Sequence, residues 1–422
     1  MEKRLRRKIS LLIAGIFIIT GCATKQTPPP IGKKVIPNED EYIIKALLAE
    51  DSGEFNKSIA IYKYLYQKTK KPVYYEKIVE DLFRERKFDE VIKKAEEFNK
   101  EHFDKKIFEY EIFALLEKKE YEKAKNLLKE KFNKKDEFYY MMMSYILIKQ
   151  NKLDEAVYYL KSLYALNHSK NVLLELSDVL IRLKKYNEAL AYLRTHLDLY
   201  GCDFDVCKRL AVIYKQTYDY DNLANIYEKL GIYDEKYLVY AINIYMENGE
   251  YKKAINLIKK YGLNKEYLMM VYVQEKKFRK ASAVAYELYE KTSNPKYLLK
   301  YCEYLYYDHP TKEEIKDIAK KLEYLIAFYP NAYLYNFLGY VLIDNDINVK
   351  KGLYFVQKAV ELQPENIEYI DSLAWGYYKL GKCKEAWDII RYIQTKDKEI
   401  LKHKRLIEKC VRRGKREGEM VK

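Results

Sequence analysis

A ladder of aromatic or aliphatic residues, each followed three positions later by a mostly small or apolar one, runs from residue 55 to residue 386. Its rungs are Phe55/Ser58, Phe88/Val91, Tyr121/Ala124, Leu153/Ala156, Tyr186/Ala189, Tyr220/Leu223, Tyr251/Ala254 and Phe278/Ala281. Looser copies follow at Ile315/Ile318, Val349/Gly352 and Cys383/Ala386. The mean step is about 33 residues. A unit that short cannot bury an apolar face alone, so it has to stack on its neighbours. Residues around each rung keep helical spacing, as in Ala374 and Tyr377 and then, past Gly381, Ala386 and Ile390, so each period holds two helices. With only 14 Gly and 9 Pro in 422 residues, the chain also lacks the corner residues of an all-β sandwich or barrel.

The best copies lie near the C-terminal end: Tyr335, Leu338, Gly339 and Leu342 with Ala359 and Pro364, then Ile370, Leu373, Ala374 and Tyr377 with Ala386 and Ile390. They resemble the tetratricopeptide repeat, a 34-residue helix-turn-helix unit. The resemblance spans residues 39–394 and implies an all-α fold, a right-handed α-solenoid of about eleven such repeats. In that repeat the two helices cross at unit positions 8 and 20, where small residues fit. Ala46, Ser144, Ser177, Ala211, Gly339 and Ala374 comply at position 8, whereas Val79, Ile112, Ile242 and Met269 are bulkier. One step of 27 and one of 37 bracket Gly262 and Asp308-His309-Pro310. They predict a change of pitch near 262–311, as a domain boundary or as an irregularity in a continuous solenoid. In residues 395–422, Ile400, Leu401, Leu406, Ile407 and Val411 mark a basic capping helix and tail.

Residues 1–21 carry Lys3, Arg4, Arg6, Arg7 and Lys8 ahead of an apolar run from Ile9 to Thr20, too short to span a bilayer as a helix. The run ends in Ile19-Thr20-Gly21-Cys22, which resembles the lipobox of bacterial lipoproteins. The resemblance implies removal of residues 1–21 and acylation of Cys22. Ala23 in place of a retaining aspartate implies the periplasmic face of the outer membrane. Two or three acyl chains, at ~0.8 kcal/mol per buried CH₂, anchor a protein stably. Residues 22–38, with Pro28-Pro29-Pro30, form a tether of extended polyproline character.

The net charge of +15 sits mostly in the leader and in the tail, where Lys402, Lys404, Arg405, Lys409, Arg412, Arg413, Lys415 and Arg416 face only Glu408. The body is nearly balanced, which together with the compartment argues against nucleic acid as a partner. The tail suits a solvated helix end, or contact with anionic lipid or an acidic partner.

No catalytic or metal-binding pattern is present: His102, His168, His196, His309 and His403 are scattered, and there is no HExxH, GxSxG or phosphate loop. No enzyme activity, metal or cofactor is expected. Cys202 and Cys207, at a loop-to-helix junction, are either a disulfide or two buried thiols, and Cys383 and Cys410 form a second candidate pair. Many of the 46 tyrosines fall on packing positions, among them Tyr42, Tyr75, Tyr214, Tyr227 and Tyr245. Unit positions 2, 5, 9 and 12 face the groove instead. Among them, Tyr333, Asn336, Tyr340, Asp371, Trp375 and Tyr378 make an aromatic, hydrogen-bonding cluster of the kind found at binding hot spots, which is either the partner site or a face covered by the capping helix. Lys208, Lys215, Lys236 and Asn243 occupy groove positions of units six and seven without the arrangement of a carboxylate clamp. The expected function is a membrane-anchored scaffold holding a protein or peptide partner in its groove, in envelope assembly or export. The alternative is a cell-wall or polysaccharide-associated accessory lipoprotein.

Overall fold

The computed structural model describes residues 38–131 and 135–420, with side chains to residue 413. The leader, Cys22 and most of the tether lie outside the described residues, as do the side chains of Lys415 and Arg416. Among the described residues there are 23 α-helices and no strand, in an all-α solenoid architecture. In chain order they are α1 (Glu39–Asp51), α2 (Phe55–Thr69), α3 (Pro72–Arg84), α4 (Phe88–Glu101), α5 (Lys105–Glu117), α6 (Tyr121–Lys131), α7 (Glu137–Lys149) and α8 (Leu153–Asn167). Then come α9 (Lys170–Arg182), α10 (Tyr186–Tyr200), α11 (Phe204–Gln216), α12 (Tyr220–Leu230), α13 (Lys236–Glu247), α14 (Tyr251–Tyr261), α15 (Lys265–Gln274) and α16 (Phe278–Thr292). The last are α17 (Pro295–Tyr307), α18 (Lys312–Phe328), α19 (Ala332–Asp344), α20 (Val349–Leu362), α21 (Ile367–Lys379), α22 (Cys383–Ile390) and α23 (Lys398–Met420).

In chain order, odd-numbered helices up to α21 open a repeat and even-numbered ones close it, with α23 following the last. The chain divides between Leu183 and Lys184 into two compact units, the first holding α1–α9 and the second α10–α23. The short step near residue 281 reflects the brevity of α14 and α15, with 11 and 10 residues. The long step after it reflects α18, with 17 residues and a Thr311/Glu314 capping box at its start.

Side-chain caps are commoner on the opening helices, although Asp219, Thr311 and Asn348 also cap the closing helices α12, α18 and α20. Seven of the opening helices carry Asp or Asn at the N-cap, whose side chain accepts a backbone N–H: Asp104, Asp136, Asp203, Asn264, Asn294, Asn331 and Asn366. The turn from opening to closing helix instead relies on a left-handed residue, and all eleven turns have one. These are Gly53, Arg86, Lys119, Asn151, Lys184, Tyr218, Gly249, Lys276, His309, Asp346 and Gly381, with φ between 53° and 79°. The reversal is closed by bonds such as Lys87 N–H to Leu82 O (2.9 Å) and Glu120 N–H to Leu115 O (2.8 Å), the 6→1 pattern that ends many helices.

In the first unit one apolar cluster runs through the helices from α1 to α7, with Ile107, Ile112, Leu115, Met143 and Ile146 fully buried. Each such side chain contributes about 1.5–3 kcal/mol. Small residues do mark close approaches. In the second unit a Cβ built on Gly339 of α19 would lie 2.8 Å from Gly352 O on α20 and closer still to Val356. At the bulkier crossings Val79, Ile112, Ile242 and Met269 are also buried, so those pairs accommodate larger side chains at position 8. The first unit also buries two carboxyl groups. Asp81 of α3 accepts from Ser58 Oγ of α2, and Glu111 of α5 is 2% exposed.

Candidate functional site

Four of the six groove residues named from the sequence come together at the C-terminal end of the second unit, but around a helix rather than around open space. α23 lies against α21 and α22, burying Ile400 and Ile407 with Ala374, Ala386 and Ile390. Between those two isoleucines His403 points inward and is 2% exposed. Its ring stacks on Trp375 of α21 (centroids 4.0 Å apart, planes 12° apart), and its Nδ1 meets Asp371 Oδ2 at 2.8 Å. Tyr378 closes the stack from its other neighbour, 4.9 Å from Trp375. Tyr340 of α19 donates to Glu399 of α23 at 2.6 Å. The indole N–H of Trp375 donates to Asp344 of α19 at 3.1 Å, and Lys379 donates to the Asp344 carbonyl, also at 3.1 Å.

The expected open hot spot is therefore corrected: Trp375 and Asp371 are buried, 7% and 5% exposed, because the capping helix supplies the contacts expected of a partner. Burial raises the pKa of the Asp371 carboxyl, and the His403 contact draws it back in part. The Tyr340 hydroxyl is raised by burial and by its bond to Glu399. The other two residues lie apart from the stack. Tyr333 is half-exposed and donates to Glu303 of α17 at 2.8 Å. Asn336 is half-buried, and its Oδ1 has no hydrogen-bond donor among the described residues. Sequence reasoning passed over His403 as one scattered histidine. Its place in the stripe Ile400, His403, Ile407, at helical spacing, was the available signal.

The groove positions of α11 and α13 are open. Lys208, Val212 and Lys215 on α11 and Lys236, Tyr240 and Asn243 on α13 are exposed, with Val212 and Tyr240 each 46% accessible. Phe204 and Tyr237, with ring centroids 6.4 Å apart, bring the two helices together at their N-terminal ends. Lys208 lies over the Phe204 ring at 5.1 Å, and Lys236 pairs with Asp234. This face joins two apolar side chains to cations and an amide, and it is available to a partner.

Cys202 and Cys207 form a disulfide with Cα atoms 5.7 Å apart, and so do Cys383 and Cys410, 5.8 Å apart; Cys302 is a free, buried thiol. In the basic tail, Lys402, Arg405, Lys409, Arg412 and Arg413 of α23 are exposed, and Arg412 pairs with Glu408. Among the described residues no three His, Cys, Asp or Glu side chains are grouped to hold a metal ion. Nor is any described helix long and apolar enough to cross a membrane.

No protein-family model matches the chain. A TPR repeat-containing protein of Pseudomonas aeruginosa is 31% identical over 81 residues, which is 19% of this chain and 14% of that protein's length. Among solved structures, Naa15/Naa10 bound to HypK-THB aligns over 85% of this chain and 58% of its own, at 13% identity and a TM-score of 0.39. A tetratricopeptide repeat protein from Parabacteroides merdae aligns over 57% of this chain and 98% of its own, at 13% identity and a TM-score of 0.26. The succession of helix pairs at a step near 33 residues, with small residues at many of the crossings, resembles the tetratricopeptide repeat, and the local match to that Pseudomonas protein is in keeping with it.

Proposed function

We propose that this protein is a lipid-anchored, non-catalytic scaffold on the periplasmic face of an outer membrane, holding a protein or peptide partner within an envelope assembly or export system. The observation that carries the interaction is α23 itself. A Lys/Arg-rich amphipathic helix sits on the groove residues of α19 and α21, using a buried carboxylate, an aromatic stack and a tyrosine hydroxyl. A surface that seats one helix this way has the chemistry to seat another (helix-in-groove recognition), and the comparable positions on α11 and α13 are open. Support for the anchor is the Gly21-Cys22 junction after a basic, then apolar, leader.

Two measurements test this. A photo-crosslinking amino acid at Tyr240, on the open face, should give a defined adduct in cells, whereas the same group at Tyr354, exposed on closing helix α20, should give none. Equal labelling from both positions would remove the groove from the proposal. Labelled fatty acid should enter the wild-type protein and not Cys22→Ala; incorporation into both, or neither, would remove the anchor.

A further inference from the structure

α22 and residues 406–413 of α23 flank a cleft of about 970 Å³. That is the upper end of the volume range of ligand sites, roughly 300–1,000 Å³. Trp387, Tyr378, Leu406 and Val411 supply its apolar surface. Five cations line it, Lys382, Lys384, Arg391, Lys409 and Arg413, against two acids, Glu385 and Asp388. Asp388 holds Arg391 at 3.4 Å, and Lys382 rests over the Tyr377 ring. Lys384, Lys409 and Arg413 have no acidic partner among the described residues, so the positive charge of the cleft is largely uncompensated. The Cys383–Cys410 bond joins the two walls, and both cysteines line the cleft. A cleft held open by a covalent tie loses little conformational freedom when it is filled.

We propose that this cleft binds an acidic peptide segment, with carboxylates on Lys384, Lys409 and Arg413 and an apolar side chain against Trp387 and Leu406. A lipid bilayer is the weaker occupant. Its flat surface is met by protruding cations and aromatics, whereas here Trp387 and Leu406 line a recess between two helices. The site is separate from the α11–α13 face, and crosslinking at Tyr240 does not report on it.

The test uses the full chain and a fluorescein-labelled, amide-ended peptide, Glu-Leu-Glu-Glu-Leu-Glu, followed by anisotropy. Binding should be saturable, should weaken as salt rises, and should fall at least about tenfold in Lys384→Glu/Lys409→Glu, as expected when complementary charge is reversed. Cys383→Ser/Cys410→Ser should also weaken it, while a Gln-Leu-Gln-Gln-Leu-Gln peptide should not bind. Helicity by circular dichroism checks that the charge-reversed protein is folded. Equal affinity for the wild type and the charge-reversed protein would overturn the proposal. So would an absence of peptide binding alongside flotation with phosphatidylglycerol vesicles, which would assign the cations to a lipid surface.

Discussion

Glu111→Gln should stabilise this protein at alkaline pH and leave it almost unchanged in mild acid. Glu111 lies on α5 with only 2% of its surface exposed. Burial is the largest influence on its carboxyl, Glu96 adds like-charge repulsion, and Lys123, Asn99 and Lys131 offset only part of this; its pKa is pushed up to about 7 from an ordinary 4.5. Because the folded-state value is raised, the folded protein holds this proton more tightly than the unfolded chain. Between the two values the unfolded state ionises while the native state does not, so the group's stabilisation is complete below about pH 4.5 and is lost as pH rises through about 7. Two and a half units at about 1.4 kcal/mol each place roughly 3 kcal/mol at stake by pH 8. At pH 5 the loss is still under ~1 kcal/mol. Glutamine keeps the volume but never ionises. In urea unfolding followed by circular dichroism, the variant should therefore unfold at higher urea than wild type at pH 8 and close to it at pH 5. Repeat arrays can unfold in steps, so the comparison is made on the transition of the first unit. A shift of equal size at both pH values would refute the reasoning, since packing alone would then explain it.

Replacing left-handed turn residues by glycine, as in Lys119→Gly and Lys276→Gly, should raise the unfolding midpoint, each by up to ~1 kcal/mol, because a side chain there costs about 1–2 kcal/mol and glycine returns part of it as backbone entropy. Gly339→Ala should do the reverse, by ~1–3 kcal/mol in thermal unfolding, since its methyl group has no room beside Gly352 O and Val356. His403→Ala removes the hydrogen-bond partner of the buried Asp371 carboxyl and the ring stacked on Trp375, a change that should cost about 1–3 kcal/mol. Limited trypsin digestion should then cut α23 at Lys402 and Arg405 faster than in wild type. Under denaturing, non-reducing conditions, Cys302 should be the one thiol alkylated among the cysteines after residue 200, and reduction should add four more.

The period was legible because every unit buries the same face, so Ala124, Ala156, Ala189 and Ala254 recur where two helices cross and each is fully buried. The Asp and Asn caps were equally open to reading, as their side chains act within three residues of their own position. The turns were not. Eight of the eleven left-handed positions hold Arg, Lys, Asn, Tyr, His or Asp in place of Gly, so a reversal was expected in every period but the residue that makes it was not marked by glycine. Here the stacking of neighbouring helices imposes a conformation that local preference opposes.

The groove at Trp375 could not be decided from the sequence for a related reason. Position within a repeat tells which way Tyr340, Asp371 and Trp375 point, and they do point as the repeat requires. It cannot tell what arrives from 28 or more residues further along the chain. His403 completes that face with one ring nitrogen on Asp371 and its ring plane on Trp375. The same side chains that mark a binding hot spot in isolation thus become core once α23 is in place. An end repeat differs from an internal one in this respect, because its outer face has no following pair to cover it. Open groove chemistry in this protein is therefore to be sought on repeats with neighbours on both sides. Val212 and Tyr240, rather than Trp375, are then the residues whose loss should cost a partner and spare the fold.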